Sequence, residues 1–168
     1  DNPPSRFNGP VTFNDQNRFQ VNQLYASFGK DAEKCNGFNY GGRVDLLWGT
    51  DYVFTQAIGL ETRDDGTNHW NGAANQYGLA LPQAYFELAY EALSVKVGHF
   101  YTIIGNETVT APDNFFYSHA YTMQYGEPFT HTGVLGSWDY SDGIVLHGGV
   151  VNGWDRFDGN TDRASFLG

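Results

Sequence analysis

The polar and charged side chains that could act on a solute fall into two groups along the 168-residue sequence. The first comprises Arg43, Asp45, Gln83, Tyr85, Glu87, Ser94 and Lys96, each set among alternating apolar neighbours. Side chains change sides at every residue of a strand, so this spacing gathers them on one face of a sheet. Charges on such a face focus the field inside a pore and bias which ions enter. Glu87 and Lys96 have opposite signs and largely cancel at a distance, so for this pair holding register is the simpler role. The second group lies in the stretch 105–128, where Glu107, Asp113, His119 and Glu127 stand among Phe115, Phe116, Tyr117, Tyr121 and Tyr125. A connection this long without secondary structure is usually functional or disordered, and its aromatic content argues for packing. Two outcomes fit equally. Either it folds inward as a constriction whose acidic groups favour cations or neutral solutes, or it covers an outer mouth.

Other chemistry finds little support. The histidines His69, His99, His119, His131 and His147 show no HxH or HExxH spacing, so no metal site is expected. The run Asp155 to Asp162 is acidic but lacks the spacing and closing Glu of a helix-loop calcium site; a solvated turn is the simpler reading, with a loose cation site as the other. No nucleophile elbow, phosphate loop or paired-carboxylate arrangement is present, so the expectation is a protein that is not an enzyme and carries no cofactor. A net charge of −10 without clusters of Lys and Arg excludes a nucleic-acid partner. The single cysteine, Cys35, forms no internal disulfide.

Twenty-one glycines, 17% aromatic and only 17% charged residues suit a sheet-rich chain with many turns. Residues 1–17 read as an irregular lead-in, and strands are expected at 18–29, 38–48, 52–61, 78–90, 93–104, 129–140 and 143–153. Residues 164–168 open an eighth. Reversal at Glu91-Ala92 would oppose Phe86 to Val97, Leu88 to Val95 and Glu87 to Lys96, pairing apolar residues on one face and opposite charges on the other. The segment 18–29 slips phase near Asn22-Gln23, and 52–61 carries Gln56 among its apolar positions. Between the expected strands, the connections 30–37, 49–51, 62–77, 91–92, 105–128, 141–142 and 154–163 alternate long and short. That sorting describes an up-and-down meander with one trimmed end, as in outer-membrane barrels. Trp48, Tyr52, Tyr90, Trp138 and Tyr140 flank the expected short turns like an interfacial aromatic belt. The fold class is therefore all-β: an antiparallel up-and-down meander, with residues 18–168 forming part of, or a truncated, transmembrane β-barrel.

The stretch Ser94–Gly133 (SVKVGHFYTIIGNETVTAPDNFFYSHAYTMQYGEPFTHTG) resembles the β-barrel porins of the OmpL-like group of Gram-negative outer membranes. Gly41–Gln56 (GGRVDLLWGTDYVFTQ) and Val151–Phe157 (VNGWDRF) share the likeness, which runs from about Arg6 onward. It implies an integral outer-membrane barrel longer than 168 residues that passes small hydrophilic solutes or ions passively. Its implied partners are outer-membrane lipid and the solutes themselves, and porin-like barrels are often homotrimers. The family supplies no catalytic residue. Against that pattern, Asp1 to Gly168 is expected to be a piece of a longer protein, read without the signal sequence and the C-terminal aromatic strand of such barrels. Seven strands and the start of an eighth would supply wall rather than a wide pore, since water-filled porins need about 16–18 strands.

Two other readings compete. In a soluble all-β carbohydrate-binding domain, Trp70, Trp138 and Trp154 would stack on sugars and the apolar faces would converge inward. A β-rich hydrolase has only scattered carboxylates behind it. One residue strains the barrel register: strict alternation puts His99 on the oily face with Val95 and Val97. A β-bulge at Gly98 would return His99 to the lumen and turn Phe100 outward.

Overall fold

A computed structural model describes residues 19–34, 36–72, 76–116, 118–159 and 164–168. The lead-in 1–17 lies outside the described residues, as do Tyr117 and the positions Asn160 to Asp162 of the acidic run. Among the described residues, seven strands form one sheet in sequence order: β1 (Leu24–Lys30), β2 (Phe38–Gly49), β3 (Gly78–Tyr90), β4 (Leu93–Tyr101), β5 (Thr130–Ser141), β6 (Ile144–Val151) and β7 (Ser165–Leu167). Every neighbouring pair is antiparallel, so the sheet is an up-and-down meander, and it is not closed. No helix among the described residues is long and apolar enough to cross a membrane.

The β3–β4 hairpin has the expected register. Phe86 opposes Val97, Leu88 opposes Val95 and Glu87 opposes Lys96. Its two-residue turn needs a left-handed first position, which Glu91 supplies at φ 51°. A second tight turn at Asp142-Gly143 joins β5 to β6, with Gly143 at φ 80°. Between β2 and β3 the ladder shifts, since Asp45 faces Gln83 but Leu47 faces Ala80. Leu81 and Pro82 thus stand opposite Leu46 alone, a place where a proline can sit without breaking a ladder hydrogen bond. This bulge keeps both Gln83 and Ala80 on the inner face.

The segment 52–61 is not a strand. Thr50–Phe54 turns into a 3₁₀ helix directly after β2, and the whole of 50–77 is one long connection. Gln56 among the apolar positions marked the difference: Thr55, Ala57 and Glu61 are fully buried in a coil, not alternating on a sheet. The alternation of connection lengths survives with its first members reassigned. The connections 31–37, 91–92 and 142–143 share one end of the sheet, while 50–77, 102–129 and 152–164 share the other. The opening of an eighth strand at 164–168 is accordingly β7.

The outer face is apolar and open. Val44, Phe86, Leu88, Val97, Val134, Leu146 and Val150 are each 43–50% exposed. Aromatics edge this band at both ends. Phe38 packs on Tyr90 at 4.7 Å between ring centroids and Trp138 on Tyr140 at 5.4 Å at the trimmed end, while Trp48 stacks on Tyr77 at 5.2 Å at the other. Trp48 and Tyr52 therefore do not belong to the trimmed-end belt, because the short turn expected after Trp48 does not exist. Tyr52 is instead buried against Leu47 and Ala80. The outward apolar band also removes the inward convergence that a soluble sandwich requires. Trp138 stands at the end opposite Trp70 and Trp154, so the three make no common sugar-stacking surface.

The inner face is covered at the long-connection end. Leu47, Tyr52 and Ala80 pack with Val109 and Met123 of the 102–129 connection. A second cluster joins Phe100, Leu135, Val151 and Leu167, with Tyr85 against it. No bulge occurs at Gly98: without a shift, the ladder to β3 runs from Leu93 to His99 and the ladder to β5 from Leu93 to Tyr101. Gly98 takes φ 134°, and a Cβ there would collide with the carbonyl of Ala84, so the glycine absorbs the local distortion without an inserted residue. Phe100 accordingly points inward rather than outward. His99 is fully buried, its Nδ1 2.8 Å from Thr132 Oγ1 and its ring edge-on to Phe157 at 5.7 Å. The connection 152–164, which carries Phe157, shields it.

Candidate functional site

Asp45 is the centre of a polar cluster on the inner wall. It is fully buried, and three neighbouring strands converge on it. The Arg43 guanidinium donates through Nε to both carboxylate oxygens at 2.8 Å. Gln83 Nε2 on β3 and the Tyr25 hydroxyl on β1 each donate to Oδ2 at 2.6 Å. A buried carboxylate with this many donors is the arrangement that offsets its lost hydration. The cluster extends to β4, where the Tyr101 amide donates to Gln83 Oε1 at 3.3 Å and the Tyr101 hydroxyl lies 3.4 Å from that of Tyr25. β1 and β4 are three places apart in the sheet, so this contact spans the concave face.

The 102–129 connection folds onto this wall. The Thr102 amide donates to the Phe129 carbonyl at 3.0 Å, closing the base of the loop. Gln23, just before β1, clamps the far side: its Nε2 donates to the Val109 carbonyl at 2.5 Å, and its Oε1 accepts from the Ala111 amide at 3.1 Å. Within the loop, Glu107 Oε2 accepts from the Ala120 amide at 2.9 Å and lies 3.2 Å from His119 Nδ1. Asp113 accepts from the Thr110 hydroxyl at 2.5 Å beside the short 3₁₀ turn Ala111–Asp113. Val109 and Met123, the latter on the five-residue helix α1 (Tyr121–Tyr125), turn their side chains into the wall cluster.

Between wall and loop lies a cavity of about 210 Å³. Arg43, Gln83 and Tyr101 line it from the wall, and Glu107, Asp113 and Glu127 from the loop. Burial, with the nearby Glu107 charge, raises the Glu127 carboxyl above its ordinary value. His119 faces a neighbouring cavity of about 190 Å³ with Asp51, Asn22 and Gln23. There burial raises the Asp51 carboxyl, opposed by hydrogen bonds from Gln23, Thr50 and Asn22.

Of the residues expected to line the wall, Arg43 and Gln83 thus meet the acidic loop residues at one cavity, while Asp45 is buried and bonded to both of them. Tyr85, Glu87 and Lys96 form a separate group nearer the trimmed end, where the Lys96 ammonium sits 4.2 Å from the centroid of the Tyr85 ring and 5.8 Å from that of Phe100. Sequence reasoning missed Tyr25 and Tyr101. Tyr25 alternates with Ser27 on the face of β1 opposite Phe28, a signal blurred by the phase slip that precedes it. Nothing in the sequence distinguishes Tyr101 from the other tyrosines of its region.

The two remaining long connections brace this end. Glu61 is fully buried and accepts from the Ala57 and Leu81 amides at 2.9 and 2.7 Å, and burial raises its carboxyl above the ordinary value. Asp155 Oδ1 accepts from the amides of Phe129 and Thr130 and from the Thr130 hydroxyl at 2.8–3.1 Å. Asp158 lies 3.2 Å from Arg156 Nη2, which also bonds Asp64 at 2.8 Å. The acidic run at 155–162 therefore begins by tying 152–164 to β5 and to 50–77.

No curated protein and no solved structure matches the chain. A match does exist at the level of families, and it agrees with the all-β meander, the outward apolar band and the polar inner wall. It extends over residues 1–168, so the chain belongs to the family described as putative beta-barrel porin-2, OmpL-like.

Proposed function

We propose that this chain forms part of the wall of an outer-membrane channel that passes small hydrophilic solutes or ions by passive diffusion, with 102–129 as its constriction. Membership of a porin family carries a porin-like, non-enzymatic role in general and implies an outer-membrane setting. The observation behind the finer reading is the burial of Val109 and Met123 against Leu47 and Ala80, which holds the loop on the concave side of the sheet. Glu107, Asp113 and Glu127 then stand across about 210 Å³ of open space from Arg43. Three carboxylates against one guanidinium, in a chain of net charge −10, favour cations and neutral solutes over anions. The apolar outer band meets lipid, the trimmed end faces the periplasm, and further strands extend the sheet to a diameter that water can fill. A homotrimer is the assembly we expect.

Shortening 105–128 in the protein reconstituted in planar bilayers tests the constriction. Single-channel conductance should rise and preference for cations should fall. Unchanged conductance and selectivity would sink the proposal.

A further inference from the structure

The connection between β1 and β2 does not project from the sheet as a free turn. A Cβ on Gly41, an inner-face position, would collide with the backbone of Lys30, Asp31 and Ala32. The chain therefore doubles back over the concave face as soon as it leaves β1. Farther along, Lys34 Nζ reaches Asp139 Oδ1 on β5 at 2.6 Å. Two strands, β3 and β4, separate β2 from β5, a span of about 14 Å at the usual ~4.8 Å per strand. Asp31 to Lys34 must cross their inner faces to make that bond. Ala89 and Ser94 are opposed across those two strands at this level, and they are only 1% and 4% exposed. Their small side chains leave room for a segment lying on top.

We propose that Asp31–Lys34 is a strap across the inside of the barrel at its trimmed end, latched by Lys34 and Asp139, and that it forms a second barrier on the permeation path. As a barrier it rests on the reading of the concave face as that path; as a strap it does not. The latch is partly exposed, with Lys34 at 24% and Asp139 at 44% of side-chain area, so it is weak and screened by salt. It is suited to opening, whereas 102–129 is anchored by buried Val109 and Met123.

The test uses Ser94→Cys in a Cys35→Ser background, labelled in intact vesicles by a bulky, membrane-impermeant thiol reagent. Labelling should be slow, should accelerate about two- to fivefold with Lys34→Ala, the size that loss of one exposed ion pair allows, and should do so likewise in high salt. Gly41→Val, which displaces the backbone of the strap, should accelerate it further. The exchange of Lys34→Asp with Asp139→Lys should restore the slow rate. Equal rates in all of these would overturn the strap, and the Lys34 variants decide the matter even where Gly41→Val does not fold. Channel recordings separate the barrier from the strap. Lys34→Ala should raise conductance in a background that already lacks 105–128. Faster labelling without a conductance change would overturn the barrier and leave the constriction at 102–129 to its own test.

Discussion

Asp45→Asn should be among the most damaging polar substitutions in the wall. The carboxylate accepts from Arg43 Nε, Gln83 Nε2 and the Tyr25 hydroxyl, all within 2.6–2.8 Å, and none of its side-chain surface is exposed. Asparagine keeps the shape but offers one acceptor oxygen, and it turns an NH₂ group toward donors. Each hydrogen bond to a charged group contributes about 1.5–3 kcal/mol, and breaking a buried pair by removing one partner costs about 3–5 kcal/mol. A loss of about 3–5 kcal/mol is therefore expected from urea unfolding in lipid vesicles, followed by the fluorescence of the four tryptophans. The mechanism is checked by a double-mutant cycle with Tyr25→Phe. Both changes remove the same hydrogen bond, so the double variant should be less destabilised than the sum by about 0.5–3 kcal/mol. The same change leaves the Arg43 guanidinium without its counter-charge at the cavity, so anion permeability should rise. A loss below about 1 kcal/mol, or strict additivity in the cycle, would refute the view of Asp45 as an ionised centre joining three strands.

The outer band and the loop give two more tests. Phe86→Arg places a charge in the middle of the apolar face and should destabilise the inserted protein by about 2–4 kcal/mol, the depth-dependent cost on a lipid-facing strand. Arginine at neighbouring Glu87 should cost far less, and equal effects at the two positions would remove the lipid assignment. Glu127 carries a carboxyl raised by burial and by Glu107. Protonation removes its charge, so cation preference should decline as pH falls, starting above the usual range near 4.3 for a glutamate. Glu127→Gln should abolish that part of the reversal-potential titration, and an unaltered titration would exclude Glu127 from the path.

What the sequence made legible was whatever repeats with period two. The β3–β4 hairpin combines ten or more alternating residues with a two-residue turn, and one register alone pairs oil with oil and Glu87 with Lys96. The segment 52–61 misled because a buried coil can also be apolar. Ala57 and Thr55 are as buried as any strand residue, yet Glu61 satisfies the backbone there in place of a ladder. His99 misled in a related way. Alternation places it correctly, but that face is not bare there, because Phe157 and Thr132 cover the imidazole. No bulge is needed for a residue that a loop already shields.

The site was legible only as its separate halves. Polar alternation put Arg43, Asp45 and Gln83 on one face, and composition singled out Glu107, Asp113 and Glu127 in the loop. That Arg43 and Gln83 share a cavity with these acids depends on a fold-back set by contacts of high sequence separation: Gln23 with Val109 and Ala111, and Tyr25 with Tyr101. Such contacts leave no periodic trace, because a loop pays no regular pattern for packing on a wall. The same reasoning explains why the two ends of the concave face differ. At the long-connection end the covering segments are anchored by buried apolar residues, as in Val109 and Met123 over Leu47 and Ala80. At the trimmed end the described residues give Asp31–Lys34 no such anchor, and what holds it there is one partly exposed ion pair over small residues. Anchoring by burial makes a fixed constriction, and anchoring by a screened charge pair makes a movable one, so the two ends of one concave face are suited to different tasks.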